Sequence, residues 1–260
     1  MKILCRDLGR MDYAAAWELQ QRLFDGMVAR KAARGIAPAA KLRSASAHAA
    51  DGGRGVAGAG PFVADDDRAG ELLLVEHDPV YTLGKSGRAE NLLVGRERLE
   101  ALGATFFRID RGGDITFHGP GQLVCYPILD LERLSMGLRD YIGALEEAVI
   151  RTVADYGIAA GRIAGASGVW IVDEKRPPRK ICAIGVRSSR YITMHGFALN
   201  VATDLSWFAH INPCGFADRG VASIAGETGR EAAMDDVKRR VVAHLGEVLG
   251  AEMLPAGAAL

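Results

Sequence analysis

The stretch Arg111-Gly112-Gly113-Asp114-Ile115-Thr116-Phe117-His118-Gly119-Pro120-Gly121-Gln122 constrains this chain more than any other. Four glycines and a proline fall between two apolar, strand-like runs, 105–109 and 122–129. Glycine admits positive φ and lets a backbone approach a ligand closely, while proline stiffens a turn. A plain hairpin needs one such turn. A connection this rich in special residues therefore reads as a binding surface, against the simpler reading of a tight turn with an incidental histidine.

Around it the apolar pattern is mixed. Strand-like runs occupy 72–76, 105–109, 122–129, 169–172, 181–188 and 192–201. Helical spacing occupies 138–156 and 235–249, and a first amphipathic helix covers 14–31 with Asp12 as its cap. Residues 33–67 break all periodicity and are dominated by Ala, Gly, Ser, Arg and Asp, the composition of a surface insertion. The order predicts an α+β fold, a mixed β-sheet flanked by helices, as a single domain over 1–260.

Composition excludes several classes. Lys+Arg and Asp+Glu are both 32, and a chain with no basic excess is not a general nucleic-acid binder. Cys5, Cys125, Cys182 and Cys214 form no CxxC pair, so no metal site is expected. No uncharged apolar run approaches the ~20 residues of a membrane span. The first residues lack a leader pattern, so a cytoplasmic protein with reduced thiols is expected. Gly84-Lys85-Ser86 imitates the end of a phosphate-binding loop, but its upstream glycine position is Pro79. Nothing else points to a nucleotide.

Further blocks follow in fixed order: Glu76-His77-Asp78-Pro79, then Arg179-Lys180-Ile181-Cys182-Ala183-Ile184-Gly185, His195-Gly196-Phe197-Ala198-Leu199-Asn200, Asn212-Pro213-Cys214-Gly215 and Asp218-Arg219-Gly220. With the glycine-rich stretch, this set resembles the lipoyl(octanoyl) transferase family over about 72–252. The resemblance implies a biotin/lipoyl protein ligase-like fold and transfer of an octanoyl group, with no cofactor. Octanoyl-acyl carrier protein would be the donor. The acceptors would be lipoyl domains of 2-oxoacid dehydrogenase complexes and the glycine cleavage H protein.

An isolated cysteine is ordinarily a small buried hydrophobe. The resemblance reverses that for Cys214, which takes the family's acyl-thioester position, while Cys125 and Cys182 sit mid-strand and read as packing. A thiol near its usual pKa of about 8.5 needs a base or a nearby cation to react at neutral pH. The resemblance gives that role to Lys180, otherwise an ordinary exposed lysine beside Arg179. His118 and His195, each before a glycine, offer a competing Cys–His pairing.

Substrate contacts are implied for Arg111, Gly112, Gly113, Asp114, Ile115, Thr116, Phe117 and His118, for Ala183, Ile184 and Gly185, and for His195, Gly196, Phe197 and Ala198. Small residues leave room for an alkyl chain, and exposed N–H groups can hold a thioester oxyanion. Arg111 can orient a polar group or pair with Asp110 or Asp114. Lys175, Arg176, Arg179, Arg187 and Arg190 form a basic cluster suited to acidic protein partners. An ATP-dependent lipoate or biotin ligase, a lipoyl amidotransferase and a non-catalytic carrier-binding scaffold are the alternatives.

Overall fold

Leu72 and Leu74 occupy one parity of their strand, Leu73 and Val75 the other, and all four are buried. A strand with two apolar faces must lie between layers. The structure, a computed structural model, describes residues 1–36, 67–212 and 220–256. Its elements run β1 (Lys2–Arg10), α1 (Tyr13–Ile36), β2 (Arg68–Glu76), β3 (Val80–Leu83), α2 (Arg96–Ala101), β4 (Thr105–Arg108), β5 (Ile115–His118), β6 (Gln122–Leu129), α3 (Leu138–Ala154), β7 (Gly161–Ile163), β8 (Ala166–Ile171), β9 (Arg179–Ser189), β10 (Ile192–Asn200), β11 (Gly220–Val221), α4 (Ile224–Thr228), α5 (Met234–Leu249) and β12 (Glu252–Pro255).

Among the described residues the large sheet runs β12-β1-β2-β6-β10-β9-β8-β7, with β11 added in parallel beside β9. It is mixed: β1 pairs β2 and β12 in parallel, whereas β2–β6, β6–β10, β10–β9 and β9–β8 are antiparallel. A small sheet, β4-β3-β5, stands apart from it. The expected α+β fold with helices flanking a mixed sheet is what forms.

Helices α3 and α5 cover one face of the large sheet. Tyr141, Leu145, Val149, Val241 and Leu245 meet Leu72, Leu74, Leu123, Cys125, Phe197 and Leu199 there. Helix α1 covers part of the other face, where Ala16 and Phe24 meet Leu73, Val75, Val124, Ile128 and Met194. Asp12 caps α1, accepting from the Ala15 N–H at 3.1 Å. The helix runs to Ile36, so residues 33–36 of the expected insertion are helical and Asp67 is a turn before β2. Residues 37–66 lie outside the described residues.

The small sheet has its own core of Tyr81, Leu83, Ile115 and Phe117, with Phe117 stacked on Trp207 at 5.1 Å between centroids. Sequence reading left Ile115–His118 inside a loop. It is a strand, paired with β3 from Leu83↔Ile115 to Val80↔His118. No described helix is long and apolar enough to cross a membrane.

Candidate active site

The part of the large sheet that α1 leaves uncovered faces the small sheet across a slot. Its floor is built from short side chains on three neighbouring strands: Val124 on β6, Gly196 and Ala198 on β10, Ala183 and Gly185 on β9. Arg111, Gly113, Asp114, Ile115, Thr116 and His118 form the facing wall, and Tyr13 closes one side. Lys180, Trp170, Gly220 and Val221 stand at one end.

The glycine-rich loop is seated on β9 rather than projecting freely. The Gly112 N–H donates to Val186 O at 3.0 Å, and a Cβ on Gly185 would lie 2.9 Å from both Arg111 Cδ and Gly112 O. The buried Arg111 guanidinium donates to Thr82 O at 2.8 Å, to Thr82 Oγ1 at 3.0 Å and to Gly112 O at 3.0 Å. It holds the loop to β3. Asp110 is engaged by Arg187 and His195, and Asp114 accepts from Asn91 Nδ2 and the Ile115 N–H.

Two expected contact residues lie off the slot wall. Phe117 points into the core of the small sheet because strand alternation sends it opposite to Thr116 and His118. Gly112 serves the slot through its bond to β9. The other expected contacts, Ala183, Ile184, Gly185, His195, Gly196, Phe197 and Ala198 among them, all line it.

The histidines are held by directional networks. Gln122 Nε2 donates to Phe117 O and Asn200 Oδ1, which leaves Gln122 Oε1 to accept from His118 Nδ1 at 2.8 Å. Asn200 Nδ2 in turn donates to Ala222 O at 2.9 Å. His118 Nε2 therefore carries a lone pair, directed toward Thr82 Oγ1 at 3.3 Å. Burial pushes the His118 pKa down to about 3, with the neighbouring His77 charge adding to the effect. His77 donates from Nδ1 to Met11 O at 2.8 Å and accepts from the Tyr126 hydroxyl at 2.7 Å; burial lowers its pKa also.

His195 is turned into the slot by a positive φ of 61°, out of step with the alternation of β10. Its Nε2 meets Asp110 Oδ1 at 3.1 Å, and burial lowers its pKa despite that carboxylate. It faces Val186 on β9, six residues beyond Lys180, which at about 3.3 Å per residue puts the two groups at opposite ends of the slot.

Lys180 is paired across strands with Trp170 on β8 and Val221 on β11. Its Nζ lies 4.6 Å from the centroid of the Trp170 ring. Cys214 lies outside the described residues, as do all of 213–219. Their described flanks are Asn212, whose N–H donates to Asn91 O at 2.8 Å, and Gly220, which pairs with Arg179 next to Lys180. Cys125 and Cys182 are fully buried in the core, and burial raises both thiols. Burial pushes Cys5 up to about 11. Among the described residues no group of three or more His, Cys, Asp or Glu side chains is placed to hold a metal.

The basic cluster is largely spent on structure. Arg179 is buried and bridges Glu227 and Asp173 at 2.7 Å each; Arg176 also pairs Glu227, and Arg187 pairs Asp110 over the Phe24 ring. Lys175 and Arg190 stand exposed and make no such ion pair among the described residues.

Residues 62–246 match the lipoyl protein ligase A/B catalytic domain. The chain belongs to that family. A Bacteroides fragilis octanoyltransferase is 46% identical over 98% of both chains, and a Flavobacterium johnsoniae octanoyltransferase is 45% identical over 97% of this chain and 99% of its own. The chain is accordingly a transferase enzyme. The fold agrees: a bipartite lipoate protein ligase of Thermoplasma acidophilum superposes with a TM-score of 0.57 at 20% identity, covering 72% of this chain and 73% of its own. LipL1 of P. falciparum, in complex with lipoate, gives 0.62 at 7% identity, covering 97% and 66%.

Within this family framework, several slot residues escaped the sequence reading: Tyr13, Ser167, Trp170, Asn200 and Phe208. Asn200 had a signal, a polar residue ending an otherwise apolar strand. Trp170 had none, because the register that sets it opposite Lys180 forms across the polar connection 172–178.

Proposed function

We propose that this enzyme moves an octanoyl group from the thioester of octanoyl-acyl carrier protein to the acceptor lysine of lipoyl domains, through a thioester on Cys214. The observation that carries the reading is Lys180 at the end of a slot floored by short side chains, on a strand paired with Gly220, where the segment bearing Cys214 rejoins the sheet.

Lys180 as the neutral amine takes the Cys214 proton, and the thiolate attacks the donor carbonyl. Backbone N–H groups of the wall hold the developing oxyanion while the carrier sulfur leaves, taking the proton that Lys180 holds. The alkyl chain lies along Val124, Ala183 and Ala198. The acceptor lysine, as its neutral amine, then attacks octanoyl-Cys214, its surplus proton passes to Lys180, and collapse to the amide releases Cys214 as the thiolate. Thioester to amide runs downhill, so ATP is not required. The acceptors are lipoyl domains of 2-oxoacid dehydrogenases and the glycine cleavage H protein, and the reaction belongs to the cytoplasm.

Intact-protein mass spectrometry after incubation with octanoyl-acyl carrier protein tests this. One hydroxylamine-labile octanoyl group on the wild type, absent from Cys214→Ser and diminished in Lys180→Ala, is the expected result. Absence of any adduct, with acceptor modification appearing only from free octanoate plus ATP, would replace this reading with a ligase.

A further inference from the structure

We propose that Gln122 is a positioning residue: it joins the glycine-rich wall of the slot to the floor by completing a one-directional chain of hydrogen bonds that runs from Arg111 to the backbone of β9. The chain belongs to the fold, and its use in holding the octanoyl donor rests on the reading above.

The direction follows from the two ends. A guanidinium can only donate and a backbone carbonyl can only accept. Arg111 Nη2 donates to Thr82 Oγ1 at 3.0 Å, which leaves the Thr82 hydroxyl hydrogen for His118 Nε2 at 3.3 Å. His118 Nδ1 then donates to Gln122 Oε1 at 2.8 Å, Gln122 Nε2 to Asn200 Oδ1 at 2.9 Å, and Asn200 Nδ2 to Ala222 O at 2.9 Å. Ala222 in turn donates its N–H to Lys180 O at 2.9 Å. Gln122 is where the sense is locked. Turning its amide over would set Oε1 against both Phe117 O and Asn200 Oδ1, the acceptors that Nε2 serves.

The chain connects what the β-ladders leave separate. Thr82 and His118 belong to the small sheet and Gln122 and Asn200 to the large one, and the two sheets form separate ladders. The Gly112 N–H fixes the wall near Val186; the chain fixes it again on the β6 side. Thr82, His118, Gln122 and Asn200 are all buried. Water is therefore no ready substitute for a missing link, and a buried polar network is held as a unit. Both ring nitrogens of His118 are occupied within it, so the imidazole serves as the link between wall and floor.

Two measurements test this. Heteronuclear NMR of isotope-labelled histidine at pH 7 should show His118 protonated at Nδ1 and bare at Nε2, because the hydrogen bond at one nitrogen sets the tautomer. In Gln122→Met, which keeps the length of the side chain without its amide, the form protonated at Nε2 should appear. Initial rates with octanoyl-acyl carrier protein give the second measurement. Thr82→Val and Gln122→Met break the chain on opposite sides of His118, and each should lower kcat/KM for the donor by about 2- to 10-fold, the range that loss of a hydrogen bond spans. The double variant should lose no more than the worse single variant, since either break alone frees the wall, whereas independent packing defects would multiply. A wild-type His118 protonated at Nε2, a tautomer unmoved in Gln122→Met, or losses that multiply would overturn the proposal and leave Gln122 as packing. Wild-type protein with the expected tautomer that takes no octanoyl group from the carrier would overturn the donor reading, and the positioning role with it.

Discussion

Three histidines line or flank the slot, and in each a hydrogen bond fixes one ring nitrogen while burial opposes charge. His118 shows the consequence most clearly, because its pKa is pushed to about 3 against roughly 6.5 in an unfolded chain. Between those values the unfolded chain binds a proton at this site that the folded chain does not, so stability falls as pH drops from about 6.5 toward 3. His77 and His195, also lowered, act in the same direction. Urea midpoints at pH 7 and pH 4.5 should show a smaller acid loss for His118→Gln than for wild type. At pH 7 that variant should be less stable by about 1–3 kcal/mol, through partners left unsatisfied. Equal acid losses would mean that His118 is already solvated in the folded state. The sequence marked His118 as a slot residue by its place in the glycine-rich stretch. It did not mark the roles of Thr82 and Gln122, since the first comes from another strand and the second depends on how a side chain folds back. The place of Phe117 in the core of the small sheet was not legible for a related reason: the alternation that turns it inward exists only if 115–118 is a strand, and five residues between glycines do not announce one.

Strand β9 concentrates the site's construction along one element. Arg179 clamps its start, Lys180 meets the slot, Cys182 enters the core and Gly185 seats the glycine-rich loop. Gly185→Ala should force the loop off its seat, because the new methyl falls 2.9 Å from backbone as well as from Arg111. A stability cost of about 1–3 kcal/mol is expected, with KM for the donor raised, measured by thermal unfolding and initial rates. An unchanged KM would show that the loop does not shape the donor site. The clamp makes a separate prediction. Arg179→Met leaves Glu227, whose carboxyl Arg179 holds below its usual range, partly buried and short of its partner. A loss of about 3 kcal/mol is expected from removing one member of such a pair. The double variant with Glu227→Gln should recover part of it in the same unfolding assay; no recovery would deny the pairing its role. The apolar run of β9 and the helical repeats of α3 and α5 were readable because periodicity survives without neighbours. Strand β1, with alternation interrupted by Arg6 and Asp7, and the two-residue β11 were not, because partner strands define them.

At the scale of the molecule, two sheets and one helix line the slot, and both substrates of the proposed reaction use it in turn. In that proposal the donor brings an acyl chain for the floor, which Val124 and Ala183 help to line, and the acceptor brings only an amine. In the proposed reaction the acyl group is held on Cys214 between the departure of the carrier thiol and the attack of the lysine. The proposed order differs from that of an ATP-dependent ligase. A ligase activates a free acid and must hold acid and nucleotide at the same time, whereas a covalent acyl-enzyme stores the activated group between two visits. Initial rates measured over a grid of octanoyl-acyl carrier protein and lipoyl-domain concentrations should therefore give parallel double-reciprocal lines, unchanged by ATP. Acceptor lacking its lysine should leave the enzyme in its octanoylated form, since the first half-reaction needs only the donor. Intersecting lines, or an acyl-enzyme that forms only when acceptor is present, would require both proteins to be bound at once and would rule out this sequential use of the slot.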